Sequence, residues 1–97
     1  MAGTMNTITM IFDSHIQSVS DDSNTNTWTS SGQTIDFWYG SGVNCVVALD
    51  SGYELDTVST TVGTATIGED KKSFIVNGIP DATVTITLTS KPIGAIL

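Results

Sequence analysis

Few residues of this chain could do chemistry, and their spacing excludes most of what they could do. His15 is the only histidine, with Asp13 and Ser14 beside it. A nucleophilic triad needs its members to converge on one point, whereas neighbours along a strand point to opposite faces. The arrangement therefore predicts a surface or half-buried imidazole. Asp50, Glu54 and Asp56 could offer oxygens to Ca²⁺, joined by Asp21 and Asp22, yet they follow neither the EF-hand nor another calcium-loop spacing. No Gly-rich phosphate loop, zinc spacing or nucleotide fingerprint occurs. The expectation is a protein that is not an enzyme, with no catalytic residue, no cofactor and no metal.

The remaining candidates concern contact. Cys45 lies mid-strand among apolar residues and is expected to be a buried, inert thiol. As the sole cysteine it excludes an internal disulfide, which suits folding in a reducing cytoplasm. Trp38 sits beside Asp36 on the polar side of its strand: exposed, it would anchor a partner; covered, it is core. Trp28, in a sparse Ser/Thr setting, carries the same two readings. After Pro92 the segment Ile93-Gly-Ala-Ile-Leu97 is apolar, and each of its large side chains gains about 1.5–3 kcal/mol if fully buried. Such a segment is expected to be covered, and against a neighbouring subunit more than against its own domain. Trp28, Trp38, Ile93, Ile96 and Leu97 are thus the candidate interface residues.

Composition narrows the partners. Ten acids stand against Lys71, Lys72 and Lys91, with no Arg, for a formal charge of −7. Binding to nucleic acid or to an anionic membrane is therefore not expected. The acids are scattered singly or in pairs, as on a solvated surface. The stretch MAGTMNTITM has neither a basic nor an apolar signal region, so no secretory signal is expected, and no apolar run reaches membrane-spanning length.

The elements that must position these residues are strands. The 97 residues form one expected domain, 1–97, with 92–97 as an apolar tail. β-Branched residues dominate, and no window carries helical apolar spacing over ten residues. The chain is organised around Val43 to Val62, a strand, an Asp50-Ser51-Gly52 turn and a second strand. Cys45, Val47 and Leu49 alternate with Val46 and Ala48, which predicts a central strand covered on both faces. The step from Leu55 to Val58 breaks the period of two and predicts a β-bulge near Asp56-Thr57. Ile8 to Phe12, Thr34 to Tyr39, Thr64 to Ile67, Ser73 to Val76 and Thr83 to Thr89 give further strands, the last with Val84, Ile86 and Leu88 facing in. Gly40-Ser41-Gly42 has the length of a hairpin turn, and Asn77-Gly78 is the strongest hairpin dipeptide. The pattern predicts an all-β fold, a small antiparallel β-sandwich of about seven strands.

Gly52-Tyr53, Leu55, Val58, Asn77-Gly78 and Thr83 to Thr89 carry a likeness. Over residues 41 to 90 the chain resembles the immunoglobulin-like "bacterial repeat" modules of bacterial surface proteins and phage structural proteins. The resemblance implies an immunoglobulin-like sandwich and a role in virion architecture or adhesion, and it brings no catalytic residue. The first expectation is a bacteriophage virion component, such as a capsid decoration or auxiliary subunit. It would be made in the host cytoplasm, captured by other protein subunits, capsid or tail proteins or copies of itself, and located in the virion. The alternative is an adhesive or glycan-binding module at the bacterial cell surface, stacking Trp28 or Trp38 on its ligand. A third is a small acidic inhibitor of a host defence system.

Overall fold

The computed structural model describes residues 5–21, 26–38, 42–78 and 83–94; for residues 5, 6, 37 and 38 it describes the backbone alone. Among the described residues nine strands are present: β1 (Met5–Phe12), β2 (Ile16–Asp21), β3 (Thr27–Trp28), β4 (Gln33–Trp38), β5 (Gly42–Leu49), β6 (Tyr53–Thr60), β7 (Thr64–Ile67), β8 (Ser73–Asn77) and β9 (Thr83–Pro92). They form a four-stranded sheet, β4-β1-β9-β6, and a five-stranded sheet, β3-β2-β5-β8-β7. The fold is an all-β sandwich, and no helix occurs among the described residues. The count exceeds the expected seven by β2 and β3: an irregularity between Ile16 and Ser18 breaks the period of two in β2, and β3 has only two residues. One neighbouring pair, β1–β9, is parallel; the others are antiparallel. A parallel pair needs a long crossover, and here nearly the whole chain supplies it.

Both sheets turn alternate residues inward. Ile8, Met10, Leu55, Val84, Ile86 and Leu88 come from the four-stranded sheet; Ile16, Val19, Trp28, Val43, Cys45, Val47, Phe74 and Val76 come from the other. Val84, Ile86 and Leu88 are buried, as the Thr/Val alternation of β9 requires. The register of β6 against β9 shifts between Leu55 and Thr57, which places the bulge at Asp56. Without it Val58 would turn to water; with it Val58 packs against the core.

β5 is central, with two strands on either side of it. It is not covered on both faces. Val43, Cys45 and Val47 are buried, while Val46 is 53% exposed and Ala48 is exposed. Apolar residues on the second face predict a second covering layer, but single exposed apolar residues are equally compatible with a face in water.

Turn signals located the breaks correctly and the pairings wrongly. β4 and β5 lie in different sheets, as do β8 and β9, so neither Gly40-Ser41-Gly42 nor Asn77-Gly78 joins a hairpin. Residues 39–41 and 79–82 themselves lie outside the described residues. Only β2–β3 and β7–β8 connect neighbours within a sheet. The corners between sheets are held by specific bonds. The Gln33 side-chain oxygen accepts from the Thr29 amide at 2.8 Å while its Nε2 donates to the Thr27 carbonyl at 3.3 Å, fixing the β3–β4 corner. Gly52 takes φ +87° in the β5–β6 turn. Gly63 takes φ +83° in the β6–β7 corner, where a Cβ would collide with the Asn77 carbonyl oxygen.

Candidate functional site

Four titratable groups, Asp13, His15, Asp50 and Tyr53, gather at one end of the sandwich, where the β1–β2 turn, the β5–β6 turn and the end of β9 meet. Asp13 begins the β1–β2 turn. Its carboxylate accepts from the His15 amide at 3.0 Å, the Ser90 amide at 2.7 Å and the Ser90 hydroxyl at 2.8 Å. Burial pushes the Asp13 carboxyl up, but the donors from Ser90 and His15 outweigh it and hold it below the usual carboxylate range. Asp50 accepts from Gln17 Nε2 at 2.8 Å and lies 3.2 Å from His15 Nδ1. The Gln17 bond, then the His15 bond, hold its carboxyl down as well. The His15 ring stacks on Tyr53, with centroids 3.8 Å apart and planes inclined by 10°.

This cluster contains a serine, a histidine and two aspartates, yet it is not wired as a triad. The Ser90 hydroxyl donates to Asp13, and the imidazole is engaged with Asp50 and the Tyr53 ring. A nucleophile needs its base within hydrogen-bond reach. The cluster instead ties three separate pieces of chain together. Among the described residues no group of three His, Cys, Asp or Glu converges on a metal position.

The other distinctive region is the outer face of the five-stranded sheet. The burial alternation turns Ser18 and Ser20 of β2, Asn44, Val46 and Ala48 of β5, Ser73, Ile75 and Asn77 of β8, and Thr64 and Thr66 of β7 away from the core. No charged side chain lies on this face among the described residues. The register sets Asn44 opposite Ile75 and Val46 opposite Ser73, with Thr66 beyond Ile75. Between these strands lies a largely carbon-lined depression of about 280 Å³, bordered by Asn44, Val46, Thr66, Gly68, Ser73 and Ile75. Val46 is 53% and Ile75 41% exposed at its rim.

The sequence-predicted interface residues are scattered. Trp28 is a core residue rather than an exposed anchor: it is fully buried on β3, and its indole N–H donates to the Ile8 carbonyl in the opposite sheet at 3.1 Å. Its polar neighbours hid this, because a strand of two residues carries no alternation to read. The Trp38 side chain, Ile96 and Leu97 lie outside the described residues. Ile93 is 48% exposed, with its amide donating to the Gly52 carbonyl at 2.9 Å. Cys45 is buried, as its setting required. Val46 and Ile75 were missed as surface residues. Their signal was present as the neutral alternate positions of β5 and β8, but it needed the knowledge that those strands are neighbours. Among known proteins, the chain matches no family model, no curated protein and no solved structure.

Proposed function

We propose that this chain is a structural and assembly protein without enzymatic activity, a β-sandwich subunit that docks on other protein subunits through the outer face of its five-stranded sheet. The observation that carries the reading is that no charged side chain lies on that face among the described residues, in a chain whose thirteen charged residues are ten acids and three lysines. Desolvating charge is costly, and the cores of protein interfaces are accordingly depleted in it. Val46 and Ile75 supply an apolar centre, and the surrounding Ser, Thr and Asn side chains a polar rim. The virion setting, as a capsid decoration or auxiliary subunit of a bacteriophage particle, is supported by the resemblance over residues 41 to 90. The adhesive alternative loses one of its two stacking candidates with the burial of Trp28.

The test is co-sedimentation of the full chain with candidate capsids and tails. Val46→Asp and Ile75→Asp should abolish capture, while Thr87→Asp on the opposite face should leave it intact. Equal capture of all three variants would exclude this face as the docking surface.

A further inference from the structure

The outer face of the five-stranded sheet is complementary to itself. A two-fold contact sets one patch against the same patch of a second copy, so shape and bonding must both match their own image. The shape does. Val46, 53% exposed, and Ile75, 41% exposed, stand at the rim of the depression of about 280 Å³. One patch thus carries raised aliphatic side chains and the hollow that accepts them. The bonding does as well. A hydroxyl or a side-chain amide both donates and accepts and can pair with its own copy, whereas a carboxylate only accepts and an ammonium only donates. The register places Ser18, Ser73, Thr64, Thr66 and Asn77 around the aliphatic centre, and no charged side chain joins them among the described residues. The Asp70 carboxylate borders the face at the β7–β8 turn, where it accepts from the Lys72 amide and the Ser73 hydroxyl, each at 2.9 Å.

Area and charge agree with this. Five strands at about 4.8 Å spacing, about 20 Å long, give about 400 Å² of flat sheet per copy. Side-chain relief carries the accessible surface buried by a pair past about 1,000 Å², the lower end of specific interfaces. Each copy carries a charge of −7, which opposes approach at long range. This face lets two copies meet without setting acid against acid, whereas a basic partner would be steered to the acids. We infer that the face binds the same face of a second copy, forming a closed two-fold dimer with the aliphatic rim of each copy seated in the depression of the other. The inference rests on the assembly reading above and names a second copy as the subunit that docks there.

The experiment is sedimentation of the full chain over a wide concentration range, at low and high salt. The parent should pass from monomer to dimer and stop there. Salt screens the repulsion between the two acidic chains without touching the uncharged contact, so dimerisation should tighten by about tenfold or more between about 0.01 M and 1 M. Val46→Asp and Ile75→Asp should each weaken the dimer by about 100-fold or more, with circular dichroism that of the parent. Thr87→Asp adds the same charge to the opposite face and should leave the dimer intact. A two-fold contact carries each substitution twice. A mixed pair of parent and labelled Val46→Asp should therefore be weakened by about tenfold, the square root of the effect on the variant pair. A parent that stays monomeric, one that grows past the dimer, association that weakens with salt, or mixed pairs as tight as parent pairs would each overturn the inference. If the parent stays monomeric while Val46→Asp still abolishes capture by a particle, the assembly reading stands and the dimer alone falls.

Discussion

The two outer faces of the sandwich are built from much the same residues and present opposite surfaces. On the four-stranded sheet, threonines bond to one another across strands: Thr9 to Thr34 at 2.8 Å, Thr57 to Thr89 at 2.6 Å, and Thr7 to the Asp36 carboxylate at 2.7 Å. Lys91 adds ion pairs to Glu54 and Asp56 at 3.9 and 3.8 Å. Among the described residues, Ile11 is the one large exposed apolar residue there. The five-stranded sheet carries no charged side chain on its outer face among the described residues and exposes Val46 and Ile75 beside a depression. The first face has polar groups already partnered by their neighbours, which makes it complete in water. The second has apolar surface that only another surface can cover. A count of Thr and Val could not separate them; cross-strand register does, because it decides which side chains are neighbours.

The comparison breaks most severely at the layer both faces rest on. Trp28→Ala removes the largest buried side chain and the indole bond that links β3 to β1, and should destabilise the fold by about 3–5 kcal/mol in denaturant unfolding. A loss under about 1 kcal/mol would mean that the two sheets do not depend on this bridge.

Next in size is the residue directly behind the uncharged face. Cys45→Ser places a hydroxyl in the apolar interior and should cost about 1–3 kcal/mol. Rapid modification of the native thiol by a maleimide would contradict its burial.

Asp13→Ala should also cost about 1–3 kcal/mol, by leaving the Ser90 and His15 donors without their acceptor. The sign of its pH dependence follows from a folded value below the usual one of about 3.9. The carboxylate stabilises the fold above that usual value and loses this contribution as the pH falls through the lower folded value. The melting temperature of the parent should therefore exceed that of Asp13→Ala by a constant margin near neutral pH, and the margin should shrink below about pH 4. A margin that grows on acidification would show the opposite sign.

The smallest effects sharpen the contrast between the faces. A Thr57→Val, Thr89→Val double-mutant cycle should return a coupling of about 0.2–1 kcal/mol, typical of a cross-strand pair. Val46→Asp should change stability by less than about 0.5 kcal/mol, because nothing in the isolated domain packs over it. A large loss there would show that Val46 belongs to the core and not to a surface.

What the sequence determined by itself is whatever depends on neighbours along the chain. The alternation of Val84, Ile86 and Leu88, the burial of Cys45, the all-β character and even the bulge at Asp56 were legible, because a period of two and its interruption are local quantities. What only the tertiary structure decided is which strand lies beside which. Asn77-Gly78 reads as a hairpin and serves a crossing between sheets; Trp28 reads as a residue in a polar loop and bridges two sheets; Val46 reads as covered and lies in water. The meeting of Asp13 with Ser90, 77 residues apart, and of His15 with Asp50 and Tyr53, belongs to the same class. The physical reason is that a strand carries its hydrogen-bonding capacity on both edges and offers it to any other strand alike. Its own residues fix which side chains face in, while its partners are fixed by the packing of the whole core.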